Sequence, residues 1–318
     1  VKIVVLDGRP LATERSAFAG LDELGETEVY DQSSPEEIRR RAVGAGVLIT
    51  NKAAIRADLM AELPELRYIT LMATGYDCVD AAAARARGIP VSNVPIYGTD
   101  SVAQHVFALL LELCNHVGAH AEAVRQGEWT RWPDFSMRKT PLYEMAGKTF
   151  GIVGLGRIGQ RVAELARAFG MKIIASSNSG RLPDGFGPVE WCAIDDLFAR
   201  SDVISLHCPS NPRTVGLVNQ SRLALMKPSA YLINTARGAL IVEQDLADAL
   251  NAGRIAGAGL DVVSREPPVA GNPLFSARNC LVTPHNAWAT DEARARLMAA
   301  TVANVAAFLS GSPINVVN

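Results

Sequence analysis

An apolar run, Thr149-Phe150-Gly151-Ile152-Val153, ends in Gly154-Leu155-Gly156-Arg157-Ile158-Gly159 and leads straight into an amphipathic stretch that Gly170 closes. Strand, glycine turn, helix: that order leaves a chain few options. Gly154 permits the tight turn, Gly156 lets backbone approach a pyrophosphate, and Gly159 lets the helix pack on its strand. The helix start adds unpaired N–H groups and the positive end of its dipole, both suited to phosphate. A turn without a ligand would use the same glycines. The strand before and the helix after favour a dinucleotide.

The rest of the chain repeats the alternation. Before this loop, apolar runs at 2–7, 27–31, 47–51, 68–74 and 90–94 read as strands, with helical stretches at 35–43 and 79–87 between them. After it, runs at 172–177, 203–209, 230–235, 257–262 and 280–283 read the same way. Alternation of this kind predicts parallel sheets with helices on both faces. The fold expected is therefore α/β, with two doubly wound, Rossmann-like domains and a cleft between them. Residues 1–98 plus 289–318 make a discontinuous, flavodoxin-like substrate-binding domain. Residues 99–288 make the dinucleotide-binding domain, opened by one long helix over 99–126 of the kind that builds a dimer. The segment 127–145 reads as an ordered arm. Its Trp129 and Trp132 pack either across a dimer or within their own subunit.

Composition narrows the function classes. A net charge of -2 over 318 residues offers no basic face for nucleic acid. No apolar run is long enough to span a bilayer, and residues 1–7 read as a strand and not a signal peptide. Five scattered cysteines without a CxxC pair point to a reduced, cytoplasmic setting. Glu112, His116 and His120 recur every four residues, but without HExxH or a further ligand they read as a polar helix stripe, and no metal is expected. His105 and His207 sit in apolar runs and read as satisfied core or cofactor-lining residues. Cys208 reads as packing, since no basic neighbour would activate it.

Three polar residues end three successive strands beyond the glycine loop: Arg237, Glu266 and His285. Ligands of open α/β sheets bind outside the carboxyl ends of strands. A guanidinium there matches a carboxylate with its planar fork and keeps its charge. An imidazole moves protons near neutral pH, and a carboxylate beside it favours its protonated form. Singly, each has a blander reading as a surface ion pair, a loop residue or a cap. Together, beside a dinucleotide, they suggest oxidation and reduction of a small 2-hydroxy acid and its 2-keto acid.

The strand at 172–177 bears on the cofactor. An NAD site places an acid near its end, for the ribose 2′-hydroxyl. Here Ser177, Asn178, Ser179 and Arg181 follow, with no acid before Asp184. Hydroxyls and a guanidinium accept a 2′-phosphate, so NADP is favoured over NAD. The alternative has Asn178 and the serines bonding a plain ribose, with Arg181 in solvent.

The stretches 151–159, Ile233-Asn234-Thr235-Ala236-Arg237-Gly238, Gly259-Leu260-Asp261-Val262, Glu266-Pro267 and Thr283-Pro284-His285 together resemble the D-2-hydroxyacid dehydrogenase family. The resemblance extends over essentially the whole chain and is strongest to the branch of glycerate dehydrogenase and hydroxypyruvate (glyoxylate) reductase. It implies Arg237 as substrate ligand, His285 as acid/base and Glu266 as its partner. It implies Asp261 against the nicotinamide carboxamide, and Arg157, Ile158, Cys208, Pro209, Thr235 and Ala236 lining the cofactor. It places a substrate loop at Ala73-Thr74-Gly75-Tyr76, where the N–H groups of Gly75 and Tyr76 receive the carboxylate, with Asn51 and Lys52 shaping the pocket. It also implies a homodimer. Two departures stand out: Ser177 replaces the usual acid, and Asn286 follows the histidine where an apolar residue is usual. Competing readings are an enzyme for a bulkier 2-keto acid, a formate-type dehydrogenase, which Glu266 argues against, and a corepressor-like dinucleotide sensor with little turnover.

Overall fold

The computed structural model describes residues 1–12, 14–177, 182 and 185–318. The chain divides into two compact units, Val1–Gly98 with Ala289–Asn318, and Thr99–Trp288.

The first unit holds five strands: β1 (Lys2–Val5), β2 (Glu26–Val29), β3 (Val47–Thr50), β4 (Tyr68–Leu71) and β5 (Val91–Ser92). All pair in parallel, in the order β2-β1-β3-β4-β5. β3 and β4 are buried throughout, because helices cover both faces of a parallel sheet. The helix Pro35–Arg41 starts on a capping box in which Ser34 and Glu37 satisfy each other's backbone N–H. The strand order reverses between β1 and β3, so the loops after these two strands form the crevice of the sheet.

Residues 289–318 complete this unit. The helix Asp291–Leu309 lays Phe308 on Tyr68, ring centroids 4.4 Å apart. Its buried Asn304 donates to Thr70 Oγ1 and to the Asn93 carbonyl, at 3.2 and 3.0 Å. The tail then bridges antiparallel to β5 at Ser92 and Val316, and Asn318 Oδ1 accepts the Val91 N–H at 2.8 Å. An edge that would otherwise present open N–H and C=O groups is thereby closed.

The second unit holds seven strands: β6 (Thr149–Val153), β7 (Lys172–Ser176), β8 (Glu190–Trp191), β9 (Val203–Leu206), β10 (Tyr231–Asn234), β11 (Gly257–Leu260) and β12 (Cys280–Val282). They form a parallel sheet ordered β12-β11-β10-β9-β6-β7-β8, which reverses between β6 and β9. One core packs Phe198, Leu232 and Leu246 on one face; a second packs Phe107, Phe150 and Val162 on the other. The expected α/β class with two parallel sheets is what the chain adopts.

The helix expected over 99–126 is not continuous. It is two helices, Thr99–Asn115 and Val117–Arg125, parted at His116, whose φ of 47° is left-handed. The Glu112 carboxylate accepts the Gly118 N–H at 3.3 Å, one of the donors that a new helix start leaves unpaired. The polar stripe of Glu112, His116 and His120 is therefore interrupted. His120 is satisfied locally, donating from Nδ1 to the His116 carbonyl and accepting the Lys139 N–H.

Candidate functional site

The glycine loop is built against the end of β9. Gly154 has φ of 92°, and a Cβ there would lie 2.7 Å from Cys208 N and 2.8 Å from the His207 carbonyl carbon. Only glycine fits that close approach of two backbones. Gly156 faces open space, with nothing within 4 Å of where a Cβ would stand. Gly156 also caps the 12-residue helix Arg157–Ala168, whose first N–H groups have no partner within the helix and no side-chain cap at Gly156. Two strands along, Thr235 at the end of β10 has a buried hydroxyl without a hydrogen-bond partner among the described residues. Buried hydroxyls are rarely left so, and a ligand or water oxygen can complete it. An open glycine turn at a helix start and an orphaned hydroxyl fit a dinucleotide.

His207 and Cys208 line the same end of β9. The His207 ring is partly buried and meets Ser205 Oγ at 2.8 Å. Burial pushes its pKa down to about 3, so the ring is neutral near pH 7. Cys208 is raised by burial, Cys78 and Cys114 to about 11 and Cys280 to about 12, so these thiols stay protonated at neutral pH. A histidine that binds fewer protons folded than unfolded contributes stability above pH ~6.5, and that stability is lost as pH falls toward 3. Between pH 7 and 5 this one ring costs up to about 2 kcal/mol. His207→Gln should remove that share of the acid sensitivity; urea midpoints of both proteins at the two pH values measure it. Equal losses in both would show that the ring is not responsible.

Arg237 follows β10 on a turn held by a buried asparagine. Asn234 Nδ2 donates to the Arg237 carbonyl at 2.9 Å, and its Oδ1 accepts the Ala236 N–H at 3.0 Å. Next in chain, Gly238 lies so close to the segment after β11 that a Cβ would stand 1.9 Å from the Val263 carbonyl carbon. The turn carrying Arg237 is thus locked against Val263-Ser264, which leads into Glu266. The half-buried guanidinium donates from Nη1 to the Ala236 carbonyl at 2.7 Å.

Glu266 links two loops. Its Oε1 accepts the Val263 N–H at 3.1 Å, and its Oε2 lies 2.5 Å from Nδ1 of His285. The loop is pinned from below by Glu243, which accepts the Ser264 N–H at 2.6 Å and the Asn272 side-chain amide at 3.0 Å. With Nδ1 on a carboxylate, the imidazole is oriented and Nε2 is its proton-exchanging nitrogen. The two side chains remain 30% and 34% exposed, so solvent and a small substrate can reach them.

His285 itself has φ of 54°, an unfavourable region for a residue with a Cβ. Asp261, 1% exposed, holds it there. The Asp261 carbonyl accepts the His285 N–H at 2.8 Å, and its carboxylate accepts Asn286 N–H at 3.0 Å, Ala287 N–H at 2.9 Å and the Thr283 hydroxyl at 2.6 Å. Both carboxylate oxygens of Asp261 are thus engaged within the protein.

In the first unit the loops after β1, β3, β4 and β5 are tied together. The Asp7 carboxylate accepts three successive N–H groups, from Asn51, Lys52 and Ala53, at 2.7, 2.5 and 2.8 Å. Burial raises the Asp7 pKa against the lowering effect of those bonds. Asn51 is buried and spends its amide on the Met72 carbonyl at 2.6 Å, so it shapes the crevice as scaffold; Lys52 is exposed. Thr74 donates to the Val94 carbonyl at 2.9 Å and accepts from Asn93 at 2.7 Å, holding the loop of Ala73, Gly75 and Tyr76.

Of the cofactor residues singled out above, Ser177 is partly buried just beyond β7, while Asn178 and Arg181 lie outside the described residues. Asp7 and Glu243 escaped the sequence reading, and Asn234 and Thr283 stood in its family-like stretches without a role. No spacing marks their roles: Asp7 and Asn234 are buried polar residues at strand ends, while Glu243 opens a helix and Thr283 is partly buried after β12. Among the described residues no group of three His, Cys, Asp or Glu gathers as a metal site. No helix there is long and apolar enough to cross a membrane.

Residues 107–287 match the profile of the D-isomer specific 2-hydroxyacid dehydrogenase, NAD binding domain. The chain is 46% identical to a hydroxypyruvate reductase of Blautia hydrogenotrophica over 321 aligned positions, covering 100% of both. It is 42% identical to a glycerate dehydrogenase of Methylorubrum extorquens, covering 99% and 98%. Among solved structures, an acyclic imino acid reductase in complex with NADPH and D-Arg aligns with a TM-score of 0.89 at 34% identity, covering 100% of both chains.

Proposed function

The chain belongs to the D-isomer specific 2-hydroxyacid dehydrogenase family, an NAD(P)-dependent oxidoreductase, and we propose on that footing that it reduces hydroxypyruvate, and the smaller glyoxylate, to D-glycerate and glycolate. The observation that carries this reading is the His285–Glu266 contact of 2.5 Å, set on a rigid turn in the dinucleotide-binding unit.

The proposed roles follow from the groups. Arg237 binds the carboxylate and carbonyl oxygens of the keto acid. When bound, the dinucleotide supplies the hydride to the carbonyl carbon. His285 gives the proton on Nε2 to the carbonyl oxygen, and Glu266 stabilises the cation before transfer and orients the ring throughout. In oxidation the same nitrogen takes the hydroxyl proton. Asp261 holds the turn on which this happens.

NADPH is the preferred reductant in this reading. Ser177 stands where an acid would repel a 2′-phosphate, and the imino acid reductase, a relative in fold and sequence, binds NADPH. Initial rates with NADPH and NADH against hydroxypyruvate, glyoxylate, pyruvate and phenylpyruvate test both parts. Expected is the highest kcat/KM for hydroxypyruvate and a preference for NADPH of about tenfold or more, the worth of one charge-assisted hydrogen bond. A preference for NADH defeats the cofactor assignment; faster phenylpyruvate reduction defeats the substrate assignment.

A second copy of the chain is the proposed partner. Trp129, Trp132 and Phe135 are 49%, 46% and 87% exposed on one arm, where the Trp129 indole N–H donates to the Phe135 carbonyl. Nearby, an open groove is lined by Leu111, Leu142, Tyr143, Met145 and Phe169. Apolar surface of this kind on an arm suits association. Sedimentation should give a dimer for the wild type and a monomer for the Trp129→Ser, Phe135→Ser double variant; a monomeric wild type rules the dimer out.

A further inference from the structure

Two residues of the helix Thr99–Asn115 meet the turn that carries His285. Ser101 donates from Oγ to the Ala287 carbonyl at 2.6 Å, in a buried contact. His105 Nε2 lies 2.9 Å from Thr283 Oγ1. Spaced by four, the two side chains share one face of the helix. Leu109, four further on, sits so close to β11 that a Cβ on Gly259 would stand 2.9 Å from its own Cβ. The helix is therefore seated firmly on the sheet along this face.

The direction of the hydrogens follows from the chain of partners. Thr283 gives its one hydroxyl proton to the Asp261 carboxylate at 2.6 Å, so its oxygen accepts from His105, which carries its proton on Nε2. Asp261 satisfies the donors of the turn: the N–H groups of His285, Asn286 and Ala287. Ser101 and His105 bond the last carbonyl and the first hydroxyl of residues 283–287, and His105 Nε2 also stands 3.6 Å from Asp261 Oδ1. A left-handed backbone at His285 persists only where its surroundings over-determine it.

We propose that Ser101 and His105 are positioning residues for the acid/base turn, fixing both ends of residues 283–287 so that the His285 ring keeps its aim. The inference rests on the reading of His285 as the proton donor. Neither residue touches substrate in this scheme; each acts through the turn. Their loss should therefore slow the chemical step and leave ligand binding alone, since small displacements of a reacting group are costly in rate.

The test compares His105→Leu, His105→Gln and Ser101→Ala with the wild type in hydroxypyruvate reduction. Four readouts are taken: kcat, KM, NADPH affinity by fluorescence, and the deuterium isotope effect with reductant labelled at the transferred position. His105→Leu should lower kcat about tenfold or more, hold KM and NADPH affinity within about twofold, and raise the isotope effect on kcat. His105→Gln, whose amide can donate at the place of Nε2, should recover most of the rate. Ser101→Ala, a smaller change, should move the same readouts the same way, and it decides the matter where His105→Leu is too unstable to assay. Wild-type kcat and isotope effect in these variants, with His285→Gln inactive, overturn this inference alone. So does a rate loss that follows only the fraction of folded protein, with the isotope effect unchanged. Full turnover in His285→Gln removes the proton donor itself, and this inference with it.

Discussion

His285→Ala should lower kcat for keto-acid reduction by about 10²- to 10⁴-fold, the usual contribution of a positioned acid/base. The dinucleotide should bind as before, because the glycine loop and Thr235 are built from other segments. The variant should also fold. The turn at residue 285 is held by backbone and carboxylate bonds to Asp261, none of which involves the imidazole. Single-turnover rates with saturating reductant, beside a binding titration, separate the two effects. Turnover within about threefold of wild type would take His285 out of the reaction.

Arg237→Met should cost about three orders of magnitude in kcat/KM, near 4 kcal/mol, in the range for removing one partner of a desolvated, hydrogen-bonded charge pair. Arg237→Lys should recover little of it, because an ammonium lacks the planar fork that meets two oxygens at once. Loss of fold is not the cause to expect. Asn234 secures the turn, and Gly238 against Val263 seats it, so the backbone loses only the guanidinium's bond to the Ala236 carbonyl. Near-wild-type melting with a collapsed kcat/KM supports the assignment. A rise in KM for the reductant in place of the keto acid would move Arg237 to the cofactor's side.

The glycine loop was legible in the sequence because its requirement is local: a turn, a close approach and a helix start fall within six residues, Gly154 to Gly159. Both parallel sheets were legible through alternating apolar runs. Arg237, Glu266 and His285 were legible as residue types at strand ends. What supports them was not. Asp7 reaches N–H groups 44 to 46 residues away, and Glu243 holds Ser264 from 21 residues away. A contact formed only in the folded state leaves no period in the chain. The break at His116 also escaped, because it falls on neither Gly nor Pro and the apolar pattern continues on both sides. Strand β8 is two residues long and exposed, too short for alternation to register.

The bonds from Asn304, Val316 and Asn318 to β4 and β5 bear on the order in which the protein matures. A nascent chain emerging from the ribosome can finish the unit of Thr99–Trp288 while the one begun earlier still lacks its last helix and the cover of its outer strand. The part translated first is thus sealed last, and until then the border of its sheet stands open to whatever else pairs with strands.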